Sequence, residues 1–239
     1  MVGDIYFISD AHLGSADRVR EKIKEERLLS FIGSLQSKAE ALYIVGDLFD
    51  FWFEYRSVAS QKNPRVLFEL YNLIKSGTKV VYLGGNHDFW LGSFLSEGVG
   101  AEISKGPIHA RHHGLQIYVS HGDEFCEKDP GTRILRRILR SPVSISLFRL
   151  IHPDLGAILA RLISRSSRGP SVLPSDLKAV CIEAAHRMFS NGFDAVVIGH
   201  IHLPFILHQG ERTVIILGDW IRHFSYAVLH NGKFTLRRW

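Results

Sequence analysis

The 239-residue sequence predicts an α/β fold with mixed sheets, and three observations carry that prediction. Short apolar runs suited to buried strands alternate with stretches of helical periodicity. Most of these runs stop at a residue able to bind a metal. Residues 204–237 then switch to alternating apolar and polar residues, the pattern of half-buried strands.

Residues 5–9 (IYFIS) form the first apolar run and end at Asp10; residues 42–46 (LYIVG) form the second and end at Asp47. Between them, residues 17–38 carry Leu28, Leu29, Ile32 and Leu35 at helical spacing, which predicts a strand–helix–strand unit. A further helical pattern at about 62–76 leads to a third strand, residues 79–83 (KVVYL), followed by Gly84-Gly85-Asn86-His87-Asp88. Residues 115–120 (LQIYVS) stop at His121, and residues 194–198 (DAVVI) stop before Gly199-His200-Ile201-His202. Gly210, Gly218 and Asn231-Gly232 punctuate residues 204–237, which predicts antiparallel strands and hairpins. Ligand sites in open α/β sheets form beyond the carboxyl ends of strands, so the ligand-bearing ends are expected to meet.

Residues 128–172 interrupt this pattern with helical character. Arg133, Arg136, Arg137 and Arg140 fall on one face of the predicted helix, and Ile134, Leu135, Ile138 and Leu139 on the other. A second apolar stretch, Val143 to Ile163, is broken by Arg149, His152-Pro153-Asp154 and Arg161, which argues against a membrane span. The chain reads as a single domain over residues 1–239 with a helical insertion at about 128–172.

Hydrophobic residues at 46% and charged residues at 22% exclude a disordered or fibrous chain. Cys126 and Cys181 are too few for a disulfide framework, and the N-terminus shows no apolar leader, so a reducing cytoplasm is expected. A formal charge of +5 favours an anionic partner: nucleic acid, a phosphorylated small molecule or an acidic membrane. No nucleic-acid-binding module is readable, which places nucleic acid last.

A hard metal pair needs oxygen and imidazole ligands, a carboxylate able to bridge, and open positions for substrate. Asp10-x-His12, Gly46-Asp47-x-x-Asp50, Gly85-Asn86-His87-Asp88, Ser120-His121-Gly122-Asp123 and Gly199-His200-Ile201-His202 supply that inventory. Asp10 and His12 can reach one ion only if the backbone turns between them, and Gly14 fits such a turn; Asp47 is the best candidate for the bridge. Each motif alone is commonplace, and their coincidence at successive strand ends is what marks a metal centre. The other histidines, His112 among them, are read as ordinary residues.

In this order the motifs DxH, GDxxD, GNHD, HGD and GHxH resemble the calcineurin-like metallophosphoesterase superfamily. The resemblance implies a four-layer α-β-β-α sandwich and two divalent metal ions. Asp10, His12, Asp47 and His202 would surround one ion and Asp47, Asn86, His121 and His200 the other. It also implies phosphoester hydrolysis without a covalent intermediate. His87 would stabilise transition-state charge or protonate the leaving oxygen, with Asp50 orienting its ring.

Residues 47–53 (DLFDFWF), the block His121 to Asp129, the Arg-rich helix and Leu217-Gly-Asp-Trp220 resemble, more narrowly, the UDP-2,3-diacylglucosamine diphosphatases of lipid A synthesis. That implies cleavage of a UDP-linked diacylated sugar to UMP and 2,3-diacylglucosamine 1-phosphate, with Mn2+ expected and Fe or Zn also admitted by the ligands. Asp129 and Arg165 match the substrate-contacting region by position. Arg133, Arg136, Arg137 and Arg140 would face phosphates or an anionic bilayer, and Leu147, Phe148, Leu150, Ile151, Leu155, Ile158, Leu159 and Leu162 an acyl groove. The sequence departs from many members at His87, where they carry Arg, and at Thr132, where they carry Tyr. A nucleotide or cyclic nucleotide is the alternative substrate. No oligomeric state follows from the sequence.

Overall fold

The apolar runs settle into two stacked sheets in a computed structural model that describes residues 3–55, 63–126, 134, 137–153, 155–156, 158–159 and 174–239. In the first sheet β1 (Asp4–Ile8), β2 (Ala39–Val45), β3 (Lys79–Leu83) and β4 (Glu102–Ser104) run parallel. Beside β1 lies the antiparallel β10 (Ser225–His230), and β11 (Lys233–Arg238) forms the edge. In the second sheet β6 (Leu115–Ser120), β7 (Ala195–Ile198) and β9 (Arg212–Ile216) run parallel, and β5 (Ile108–His112) and β8 (Phe205–Gln209) are its antiparallel edges.

Alternation along each strand deals its side chains to two cores. On β2, Leu42 and Ile44 cluster with Leu28, Phe31 and Ile32 of α1 (Arg18–Ser34) and Leu70 of α2 (Pro64–Lys75). Ala41, Tyr43 and Val45 instead join Val119, Val197 and Ile215 of the second sheet. The outer face of that sheet packs Val196 and Ile198 against Cys181, Ala185 and Phe189 of a long helix at Pro174–Ser190. The layers are therefore helix, sheet, sheet, helix, the α-β-β-α sandwich. Burial on both faces is why the central strands read as continuous apolar runs. Truncating fully buried Phe31 to Ala should cost about 3–5 kcal/mol.

Two outcomes differ from the sequence expectation. Residues 204–237 do form hairpins, but these lie in different sheets, and β9 also pairs parallel with β7. The helix at Pro174–Ser190, the short strands β4 and β5 and a π-helical turn at Phe94–Val99 were not expected. Polar residues dilute the strand signal in β5 (IHARH), and His112, on that strand, is hydrogen-bonded to the Tyr43 hydroxyl at 2.7 Å.

Further along the chain lie α3 (Asp123–Cys126) and, within the insertion, α4 (Pro142–Phe148), where Ser141 Oγ caps the N-terminus by accepting from Ser144 N at 3.2 Å. The Pro174–Ser190 helix is α5. Asp129, Thr132, Arg133, Arg136, Leu162 and Arg165 lie outside the described residues. Among the described residues, no helix is long and apolar enough to cross a membrane.

Candidate metal centre

The carboxyl ends of β1, β2, β3, β6 and β7 open on one edge of the sandwich. Five non-glycine residues there are left-handed: Asp10 (φ 56°), His12 (φ 43°), Asp47 (φ 53°), His200 (φ 69°) and His202 (φ 55°). Such conformations cost about 1–3 kcal/mol each and persist where the surroundings over-determine them. The turn needed between Asp10 and His12 is thus made by these two residues themselves. It is tied to the next strand end, because Asp10 N donates to the Gly46 carbonyl at 3.1 Å and His12 N to the Asp47 carbonyl at 2.9 Å.

The predicted ligands converge. Asp47 Oδ2 lies 3.6 Å from His12 Nε2 and 3.4 Å from His121 Nε2, between the two groups of residues. Asp10 Oδ1 lies 3.7 Å from His12 Nε2 and 3.4 Å from His202 Nε2. Asn86 Oδ1 sits 3.0 Å from both His121 Nε2 and His200 Nδ1. Close packing explains two glycines of the motifs: a Cβ on Gly46 would fall 2.3 Å from His121 Nδ1, and one on Gly85 would fall 2.1 Å from Asp47 Oδ1.

A pair of cations fits this arrangement. Asp10 Oδ1 and His12 Nε2 are buried without a hydrogen-bond partner, a costly state that a ligated metal would remove. Asp10, His12 and His202 offer atoms within 4.8 Å of one another, as do Asp10, Asp47 and His121. A third such group joins His12 and Asp47 to His87.

Electrostatics agrees. Burial, the largest influence on His12, pulls its imidazole down, but the carboxylates of Asp10 and Asp50, 3.7 and 3.6 Å away, and the charge of Asp47 together raise it to about 10. Burial likewise opposes ionisation of His121 and Asp47. Their mutual charge outweighs it, holding His121 well above and Asp47 well below the ordinary range. His200 moves the other way, down to about 4, through burial and then the charge of His121. The metal-free centre is a set of carboxylates neutralised by imidazolium protons that a divalent cation would displace.

Hydrogen bonds behind the ligands fix their ring atoms. His121 Nδ1–H donates to the Val45 carbonyl at 2.9 Å, which points Nε2 at the centre. Asp219 Oδ2 stands 3.6 Å from His202 Nδ1, while Asp219 Oδ1 accepts from the backbone N–H groups of Ile221, Arg222 and His223. Asp88 accepts from the N–H groups of Asp47, Phe49 and Gly85 and from the Tyr82 hydroxyl, pinning the second and third strand ends together. Lys24, buried on α1, donates to the His12 carbonyl at 2.6 Å. Sequence reasoning assigned no role to Lys24, Asp88 or Asp219. Asp88 and Asp219 end the motifs GNHD and LGD, whereas Lys24 carries no local signal.

His87 Nδ1–H donates to the Asp50 backbone carbonyl at 3.2 Å, so the main chain of Asp50 helps to orient the ring. The Asp50 carboxylate lies between two rings, 3.6 Å from His12 Nδ1 and 3.8 Å from His87 Nδ1. Arg137 is exposed and borders a cavity of about 560 Å³ together with Lys105 and Glu124. Arg140, expected to face a phosphate or a bilayer, is partly buried and borders the cavities on both sides of it. Its Nη2 donates to the Gly85 carbonyl and to Asp123 Oδ2, both at 3.1 Å. It is turned inward because it lies between the helical residues 137–139 and the capping Ser141.

Beside the insertion, a cavity of about 490 Å³ is walled by Phe53, Phe89, Trp90 and Ile145. Phe148 of α4 packs on Phe51, Phe53 and Trp90, while Leu147, Leu150, Leu155, Ile158 and Leu159 are exposed.

The family model for calcineurin-like phosphoesterases matches residues 3–204. The chain belongs to the calcineurin-like phosphoesterase family, whose fold implies divalent metal ions. Among its relatives, a UDP-2,3-diacylglucosamine hydrolase of Porphyromonas gingivalis is 32% identical over 99% of this chain and 97% of that protein. Hydrolases of the same name from Pseudomonas fluorescens (33%, over 91% of this chain and 88% of theirs) and Neisseria meningitidis serogroup B (32%, over 93% and 91%) are also similar. A solved archaeal phosphodiesterase shares the fold with a TM-score of 0.51 at 14% identity, over 98% of each chain.

Proposed function

We propose that this protein hydrolyses the pyrophosphate of UDP-2,3-diacylglucosamine, releasing UMP and 2,3-diacylglucosamine 1-phosphate. The observation that carries the substrate is the 32% identity along 99% of the chain to a hydrolase of that name. The reaction type rests on the placing of Asp47 between His12 and His121.

Asp10, His12, Asp47 and His202 would hold one cation and Asp47, Asn86, His121 and His200 the other, with Mn2+ favoured over Fe or Zn by family resemblance. When bound, the pair supplies Lewis-acid stabilisation of the phosphoryl oxygens and a water nucleophile at neutral pH. Against the effect of burial, His121, close by, holds the Asp47 carboxyl well below the usual carboxylate range, so at neutral pH it is in the charged form that could serve both cations. The donation from His87 Nδ1–H to Asp50 leaves His87 Nε2 as the atom that holds or gives a proton at the leaving oxygen.

The same proposal covers the whole chain as one domain with an insertion at about 128–172. Arg137 would meet phosphate, with Asp129, Arg133, Arg136 and Arg165 as further substrate contacts, and the exposed apolar residues of the insertion would meet acyl chains and the anionic cytoplasmic face of the membrane.

The experiment is hydrolysis of UDP-2,3-diacylglucosamine by purified protein with Mn2+, beside an Asp47→Ala control and a panel of UDP-sugars, nucleotides and cyclic nucleotides. UMP release confined to the acylated substrate is expected. Inactivity there with metal-dependent turnover of another phosphoester would overturn the substrate and keep the chemistry.

A further inference from the structure

The residues of the metal centre line a cleft of about 960 Å³ that reaches the start of α1 and Ile221, Arg222 and Phe224 and is bordered by none of the described residues of the insertion. That volume lies in the range of ligand clefts, roughly 300–1,000 Å³. We infer that this cleft holds the nucleoside-monophosphate half of a UDP-linked substrate, with Arg20 and Arg222 binding its phosphate side and Ile23 and Ile221 flanking its base. This rests on the pyrophosphatase reading above.

The chemistry of the two sides of the centre supports that division. In an in-line displacement the attacking water and the leaving phosphate lie opposite each other across the reacting phosphorus and the substituent that stays is equatorial, so the two halves of a pyrophosphate leave that atom in different directions. The cavity beside the insertion has Phe53, Phe89, Trp90 and Ile145 on its wall, with Lys105 and Arg149 beside them, and the insertion itself carries exposed leucines, surroundings suited to acyl chains on a phosphorylated sugar. The α1-side cleft is lined by Arg20 and Arg222 and has Ile23, Ile221 and Phe224 as its larger apolar faces, the two isoleucines 50% and 37% exposed.

Its cations are available. Lys24 is already committed to Glu21 at 3.0 Å and to the His12 carbonyl. The Arg222 guanidinium has no ion-pair partner among the described residues. Among the described residues Arg20 pairs with Asp17 at 3.4 Å, an exposed pair of the weak kind that a phosphate can replace. Position is also controlled: Asp219 Oδ1 accepts from Arg222 N at 2.7 Å while its other oxygen faces His202, so one carboxylate sets both a metal-ligand ring and the segment bearing Arg222.

The test is calorimetric binding of UMP to metal-loaded and metal-stripped protein, comparing wild type with Arg20→Ala, Arg222→Ala and the double variant. Both side chains are exposed, so metal content and melting temperature should match wild type and serve as the check on folding. Each single variant should weaken UMP binding about tenfold, the scale of one lost charge-assisted contact. The double variant should weaken it further and raise KM for UDP-2,3-diacylglucosamine more than it lowers kcat. Unchanged UMP affinity in the double variant, or a loss that falls on 2,3-diacylglucosamine 1-phosphate instead, would overturn the assignment. Arginine-dependent UMP binding by a protein inert toward UDP-2,3-diacylglucosamine would keep the subsite and remove the acylated substrate. Turnover of that substrate with UMP binding indifferent to both arginines would do the reverse.

Discussion

At the metal edge Asp10, Asp47 and His121 are 0–2% exposed, whereas on the insertion Leu147, Leu150 and Leu155 stand 61%, 83% and 60% exposed. Each region inverts the ordinary distribution, with ionisable groups inside and large apolar groups outside. The buried edge tolerates its charges because they neutralise one another and because Val45, Asp50, Asp88 and Asp219 orient them. The insertion shows no such internal compensation among its described residues. An exposed apolar patch of this kind marks a surface that meets something else. On the proposed function, chemistry and acyl-chain recognition fall to separate parts of the molecule and should fail separately.

The sharpest way to break that separation is Asp47→Ala. Turnover of every phosphoester should fall about a thousandfold or more, the scale of losing charge stabilisation at the reacting atoms. Metal per chain should fall with it by elemental analysis. An active variant with full metal content would remove Asp47 as the junction of the two groups.

Next in size is Asp88→Ala, which strips the acceptor from three N–H groups and the Tyr82 hydroxyl. Metal affinity should drop about 10–100-fold, as for other groups that orient ligands. Titration of the metal-stripped variant would show it, and an unchanged affinity would mean that the strand ends hold themselves.

The pH dependence of metal uptake follows from the raised His12. In the metal-free protein its proton contributes stability fully present below the unfolded value near 6.5, and that contribution is lost as pH rises through about 10. A cation must displace that proton, so affinity should rise with pH across this window by about tenfold per unit for each proton released. Calorimetry in buffers of different ionisation enthalpy counts the protons. No release at pH 8 would contradict the neutralised-carboxylate picture.

The smallest expected effect on the fold comes from Leu150→Asp. Stability should stay within about 0.5 kcal/mol, since the side chain is already exposed. The ratio of acylated-substrate turnover to that of a small phosphodiester should fall severalfold. An unchanged ratio would separate the apolar surface from the substrate.

The sequence made the ligand set legible because each ligand follows a strand whose two-sided burial leaves an apolar run, as at residues 79–83 before Asn86. The supporting layer was less legible. Lys24 reads as one more charge on a mixed-charge helix, and its partner is a main-chain carbonyl with no sequence signature. Arg140 shows the limit of helical periodicity, which places four arginines on one face without revealing that the helix stops at the last of them. The helix Pro174–Ser190 escaped for a related reason: Ala184 and Ala185 bury a small surface against the sheet and leave only a weak apolar stripe.

The most direct test is anomalous diffraction from crystals of the Mn2+-loaded protein. Two peaks on either side of the Asp47 carboxylate, one beside His12 and His202 and one beside His121 and His200, are the predicted result. A single peak, or peaks away from Asp47, would contradict a two-cation centre joined there.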